Sequence, residues 1–262
     1  MRAQGDSQYI NVGLSQPLFR DATKGVSGLF NITRQKINDE LKAFSLKNKR
    51  DVDSIDIGLL GDYTSRAQDA VYQVGVNARF GDVDFKDDIA QLLDDTGSKT
   101  SDHYTKLNIN ATRVQFFKNG LSLNIYADYQ LASQNLDPAE KLSIGGINRW
   151  RGFSELPSLA DNGIMTGVEL RKRITANKSL GTLLLENITP YVFVDFGRGR
   201  INQDPVASNT NHVESTQYGI GMDVAFKSDW FLSVTASHQT RDFEGDGAEN
   251  ESRAWGKLQK NF

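Results

Sequence analysis

The stretch GLSLNIYADYQL, residues 120–131, alternates without a break. Leu121, Leu123, Ile125, Ala127, Tyr129 and Leu131 share one face, and Ser122, Asn124, Tyr126, Asp128 and Gln130 share the other. A period of two is the pattern of a strand whose faces meet different surroundings. It recurs along the chain: Ile10, Val12 and Leu14; Phe30 and Ile32; Ile55, Ile57 and Leu59; Tyr72, Val74, Val76, Ala78 and Phe80; Leu107, Ile109 and Ala111. Further strands are predicted near 140–146, 163–174, 187–198, 214–226, 229–238 and 253–262, about twelve in all. KNG at 118–120 and KSD at 227–229 read as tight hairpin turns. The longer connections, near 37–51, 81–103, 199–213 and 240–252, are polar. In DFKDDIAQLLDD, Phe85, Ile89, Leu92 and Leu93 have helical spacing. A short amphipathic helix and a polar loop with scattered apolar residues fit that segment equally.

Strands with one apolar face allow two architectures. A soluble sandwich buries that face against a second sheet. A membrane barrel turns it to lipid around a polar lumen. The polar faces carry Asn, Gln, Asp, Tyr and Arg, not the Lys/Glu-rich surface of a soluble sheet. Segments of about ten residues match a tilted membrane strand. The fold class expected is therefore all-β, an antiparallel transmembrane β-barrel. The closing strand, RAWGKLQKNF, ends in Phe262, and a terminal aromatic resembles bacterial outer-membrane barrels.

Composition excludes several functions. The net charge of −3 and the lack of a basic domain argue against nucleic acid. Cysteine is absent, which excludes disulfides and thiolate metal sites and fits an oxidising compartment. His103, His212 and His238 lack metal-ligand spacing. GIGMD at 219–223 opens no helix, so it is no nucleotide loop. The Asn-x-Thr sequons at 31–33, 110–112 and 187–189 fall inside strands, and Asp94–Asp95 are loop charges. The reading is of no enzyme, with no cofactor and no metal. MRAQGDSQYI has no apolar core of a signal peptide.

The segment NLDPAEKLSIGGINRWRGF resembles the signature region of the TpsB transporters of two-partner secretion. Gln130, Asn135, Leu136, Asp137, Glu140, Leu142, Gly145, Gly146, Arg151, Gly152 and Phe153 fall in the family's register. Trp150 stands where the family usually has valine. INVGLSQPLFRDA at 10–22 is similar to an early barrel strand. GVELRKRI at 167–174, with Glu169, and PYVFVDFGRGR at 190–200, with its F-x-D-x-G, are similar to the strands after the signature loop.

The resemblance implies a sixteen-strand barrel behind two periplasmic POTRA domains, with the signature loop between strands eleven and twelve. Here that loop, about 146–163, joins the seventh and eighth predicted strands. Residues 1–262 then read as a C-terminal barrel fragment carrying about twelve of the sixteen strands, without signal peptide or POTRA domains. The implied function is export of a large haemolysin- or adhesin-like TpsA partner across a Gram-negative outer membrane. The barrel would be monomeric, among outer-membrane lipid and lipopolysaccharide. An assembly factor of the same superfamily and a porin-like channel are the alternatives, and a soluble all-β binding protein is a more distant one. Counting strands back from Phe262 places 146–163, 199–213 and 240–252 outside the cell, and 81–103 and 175–186 in the periplasm.

Alternation also phases the site. With Val192, Val194 and Phe196 outward, Tyr191, Phe193, Asp195 and Gly197 point into the lumen. With Ile164, Val168 and Leu170 outward, Glu169, Arg171 and Arg173 point inward. The resemblance folds the loop back inside the barrel and pairs Arg151 with Asp195, with Glu169 as support. A guanidinium can hold a carboxylate with two parallel bonds. Gly152 supplies the bend, and Gly145 and Gly146 let the chain approach the wall.

Overall fold

Each long period-two segment becomes a strand of one antiparallel sheet. The computed structural model describes residues 3–41, 46–144, 158–180, 183–205, 211–227, 229–243 and 247–260. The strands are β1 (Ala3–Arg20), β2 (Lys24–Leu41), β3 (Leu46–Ser65), β4 (Ala70–Phe85), β5 (Asp102–Phe116), β6 (Leu121–Ala132), β7 (Leu142–Ile144), β8 (Ser158–Ala160), β9 (Asn162–Lys172), β10 (Ile174–Leu180), β11 (Leu183–Arg200), β12 (His212–Phe226), β13 (Trp230–Phe243) and β14 (Gly247–Lys260), with a helix, α1 (Asp88–Thr96). The main sheet runs β1-β2-β3-β4-β5-β6-β9-β11-β12-β13-β14, and β10 prolongs β9 along β11. It thus has twelve strands in eleven positions. Among the described residues β1 and β14 share no ladder, so the sheet is open.

Register keeps like faces together. Val76 pairs Ile109 while Asn77 pairs Asn108, and Leu123 pairs Leu170 while Asn124 pairs Glu169. A slip of one residue would invert every side chain. The apolar face points outward: Ile10, Val12, Ile57 and Ile220 are 56–68% exposed. A sandwich would cover these side chains; a barrel presents them to lipid. The residues buried on the other face are largely polar, among them Ser54, Asp56, Gln130, Glu169, Asp195, Gln217, Thr235 and Gln239.

Three expectations need correction. First, the strands outrun their apolar alternation. The predicted connection 37–51 shrinks because β2 reaches Leu41 and β3 begins at Leu46; 240–252 shrinks likewise between Phe243 and Gly247. On these extensions the outward positions are charged or polar, among them Asn38, Lys49, Asp51 and Thr240. The apolar pattern therefore marks only the length of strand that faces hydrocarbon.

Second, 140–146 is no strand of the wall. Among its described residues only Leu142–Ile144 is extended, and it pairs with Ser158–Ala160 as a separate two-stranded sheet. Third, counting that segment as a wall strand inverted the sides of everything before it. Residues 86–101 lie at the same end as the 133–161 connection: Asn135 Nδ2 donates to Ser98 O at 2.8 Å and to Asp204 O at 2.9 Å.

Between β4 and β5 the helical reading holds. Asp87 caps α1 by accepting from Ile89 N and Ala90 N at 3.1 and 3.2 Å. Its buried positions are Ala90 and Asp94, while Ile89, Leu92 and Leu93 stay exposed, so the apolar stripe makes no core. Asp94 instead accepts from Thr100 N and Ser101 N at 2.7 and 2.8 Å, folding the chain back toward β5. At the other end, KNG forms a tight 3-10 turn with Asn119 and Gly120 both at positive φ, 64° and 73°.

The two faces respond differently to charge. Val76→Lys, on the outer face, should cost about 2–4 kcal/mol if it lies near the bilayer midplane. Asn110→Lys, on the inner face of the adjacent strand, should be close to neutral. Denaturant unfolding in lipid vesicles measures both, and equal costs would contradict the outward assignment of Val76.

Candidate functional site

The inner wall of β9 and β11 carries the predicted carboxylates. Phe193 pairs Glu169, and Asp195 pairs Gly167. Glu169 is 1% and Asp195 2% exposed. Asp195 accepts from Gln217 Nε2 on β12 at 2.6 Å and from the Tyr126 hydroxyl on β6. Tyr126 reaches it by lying across β9 at Gly167, where an added Cβ would sit 2.5 Å from the tyrosine ring carbon Cζ. Gly167 is thus required by a close approach. Glu169 accepts from Arg171 Nη1 at 2.6 Å and Asn124 Nδ2 at 3.2 Å. The same guanidinium pairs with Asp223 and lies 4.7 Å from the Tyr191 ring centroid.

The described ends of the connection 133–161 lie on this wall. Ile144 lies over Gly197, where a Cβ would be 2.9 Å from its Cγ2. Ala160 lies over Gly199, its Cβ 2.6 Å from where another would stand. The alternate glycines that follow Asp195 therefore form a seat for β7 and β8. Ile144, Ala160, Met165 and Val213 make a small apolar cluster there.

A second set of contacts fastens the first limb of the connection, 133–144, to β3, β4 and β5. Arg50 pairs with Asp137 and, at 3.0 Å, with Asp39. Arg79 grips Glu140 through Nη1, at 3.0 and 2.9 Å, and Asp56 through Nε and Nη2, at 2.7 and 2.9 Å. Lys106 Nζ lies 2.7 Å from Glu140 Oε2 and donates to its backbone oxygen at 2.7 Å. Leu136 is fully buried among Ile37, Val52, Val83, Tyr104 and Ala132. Asp161 joins both limbs to the β11–β12 connection: its carboxylate accepts from Leu136 N at 3.1 Å and Gln203 N at 2.7 Å and lies 3.1 Å from Lys141 Nζ.

The site residues read from the sequence divide in two. Glu169, Asp195 and Gly197 lie together on the inner wall, as alternation required. Gly145, Gly146, Arg151, Gly152 and Phe153 lie outside the described residues. The motif residues Gln130, Asn135, Leu136, Asp137 and Glu140 are all buried. Sequence reasoning did not single out Tyr126, Gln217, Asp161, Arg50, Arg79 or Lys106. The signal for Arg79 and Lys106 was present: each takes an inward position within an otherwise regular alternation. Their partners come from distant segments, and nothing in local spacing announces them.

Burial pushes the Glu140 carboxyl pKa up, but Lys106 and Arg79 outweigh it and hold the group below the ordinary glutamate value. Burial wins at Asp161, whose carboxyl stays above the ordinary aspartate value despite Lys141 and the Gln203 N–H. A depressed folded value means that Glu140 contributes fully above its unfolded pKa of about 4.3 and loses that contribution as pH falls through the lower folded one. Hydrogen exchange across 133–141, corrected for intrinsic rates, should therefore show this anchor undiminished from pH 7 to about 5. Glu140→Gln should lower protection at both pH values; unchanged protection would show that the carboxylate holds nothing.

Comparison with known proteins bears on the fold and the family. The chain is 21% identical over 240 residues to the heme/hemopexin transporter protein HuxB of Haemophilus influenzae strain 86-028NP, covering 90% of this chain and 41% of the relative. It therefore spans less than half the length of that curated relative. Among solved structures, CdiB from Escherichia coli matches with a TM-score of 0.75 at 17% identity, over 98% of this chain and 45% of that one. CdiB from Acinetobacter baumannii matches with a TM-score of 0.64 at 17% identity, over 96% and 43%. At these identities the likeness speaks for the barrel fold. The family model for the haemolysin secretion/activation proteins ShlB/FhaC/HecB matches residues 1–224, and the chain belongs to that family.

Proposed function

We propose that the protein carrying this chain is a two-partner secretion transporter that passes a large haemolysin- or adhesin-like protein through its lumen. The observation that carries this reading is the seat on β11. The long connection returns to the inner wall at Gly197 and Gly199, two and four residues beyond the buried Asp195. Beside Asp128, Glu169 and Arg171 the inner face also offers neutral hydrogen-bonding groups, Gln73, Asn110 and Thr112, around a cleft of about 500 Å³. Such a lining suits an extended polypeptide, because it presents neither sticky apolar surface nor a single dominant charge.

In this reading Arg151 reaches Asp195, with Glu169 beside it, and braces the connection inside the barrel. Residues 1–262 are the C-terminal part of the barrel. With eleven sheet positions and the connection between β6 and β9, five strands of a sixteen-strand family barrel precede β1. The barrel sits as a monomer in a Gram-negative outer membrane, in contact with lipopolysaccharide. Partner recognition belongs to domains outside these residues.

Breaking a buried pair by removing one partner costs about 3–5 kcal/mol, and a wet lumen lowers that toward about 1 kcal/mol. Arg151→Ala and Asp195→Ala in the full-length protein should each reduce export while leaving insertion largely intact. The double variant should be no worse than either single one. Strictly additive losses would show that the two residues do not act together. Conductance unaffected by all three, with no partner exported, would favour the passive channel.

Orientation gives a separate test. Turns 21–23, 66–69 and 117–120 are short, and the longest connections, 86–101, 133–161 and 201–211, lie at the opposite end. Short turns belong on the periplasmic side. In this cysteine-free chain, Asp95→Cys should label from outside whole cells and Asn119→Cys should not. The reverse pattern would invert the barrel.

A further inference from the structure

We infer that the first limb of the long connection, 133–144, is a fixed inner post of the barrel, with Glu140 as its positioning residue. It stays docked while a polypeptide passes. The inference rests on the transporter reading above.

Three features carry it. The limb is among the most buried parts of the chain: Asn135, Leu136, Asp137, Glu140 and Ile144 are each no more than 5% exposed. Its acids meet cations on three consecutive strands, Arg50 on β3, Arg79 on β4 and Lys106 on β5. Lifting the limb would leave those three cations on one strip of wall with Asp56 and Asp39 as their remaining acidic partners. Buried cations tolerate such a loss poorly. The limb is also tied to its neighbours, through Asn135 to Ser98 O and Asp204 O and through Asp161 to Leu136 N and Gln203 N. Undocking it would require these three connections to come apart together.

The test uses the full-length protein, whose residues 1–262 offer no competing thiol. In one arm, Ile144→Cys and Gly197→Cys are combined. The close neighbour a side chain at 197 would meet is Ile144 Cγ2, which this change removes. Export of the partner is compared in the same protein with the disulfide closed and after reduction. A fixed post predicts equal export in both states. A loss of about tenfold on closure, restored by reductant, would overturn the inference, since it would mean that the limb must leave its seat.

The second arm needs no export. Ala132→Cys lies under Leu136 and should react slowly with a small membrane-impermeant thiol reagent. Glu140→Gln and Lys106→Met should each speed that labelling by about tenfold, with insertion unchanged, and Lys106→Arg should restore the slow rate. Labelling unaffected by Glu140→Gln would remove its positioning role. If the parent protein inserts but exports nothing, the transporter reading fails, while the labelling arm still decides the role of Glu140.

Discussion

A backbone that crosses hydrocarbon has no water to satisfy its amides, so every N–H and C=O must find a partner within the protein. The rest of this structure depends on that requirement. It forces long antiparallel ladders, and ladders place successive side chains on opposite faces. One face is then given to lipid and the other to the lumen. The lipid face needs only apolar side chains, which is why Val, Ile, Leu and Phe recur there in no finer order. The lumenal face must hold polar groups at low exposure, and each of them needs a partner. That need produces Tyr126 reaching across Gly167 to Asp195, and Gln217 reaching the same carboxylate from the other side.

The inner wall gathers its charges in two paired clusters. On β3, β4 and β5 the inward cations Arg50, Arg79 and Lys106 receive Asp137 and Glu140 from the long connection. On β9, β11 and β12 the inward acids are Glu169, Asp195 and Asp223, with Arg171 bridging two of them. The first limb of the connection, with Asp137 and Glu140, matches the cations it meets. The match also opposes misplacement, because a limb docked on the wrong wall would set like charges together in a poorly screened space.

Strand identity and strand length carry different information in such a chain. The outward set of β6, from Leu121 to Leu131, was legible because a lipid-facing position tolerates so few residue types. The ends of β2, β3 and β13 were not, because beyond the hydrocarbon both faces of a strand can be polar and alternation disappears. KLSIGG misled for the opposite reason. Leu142 and Ile144 alternate like wall residues because β7 also has one buried face, against Gly197 and Gly199. Period two reports that a strand is half-buried, without reporting what buries it.

The sequence by itself determined the fold class, the inward phasing of Glu169, Asp195 and Gly197, and the family likeness of the region around them. Each of these follows from local pattern, since the direction of a side chain on a strand depends only on its parity. Tertiary structure alone decided that 142–144 belongs to the connection, which end of the barrel holds residues 86–101, and which acids meet which cations. Those facts depend on contacts between segments far apart in the chain: Arg79 and Glu140 are 61 residues apart, and Tyr126 and Asp195 are 69 apart. An ion pair is selected by where the backbone brings two charges, and no spacing within either segment encodes the distance between them.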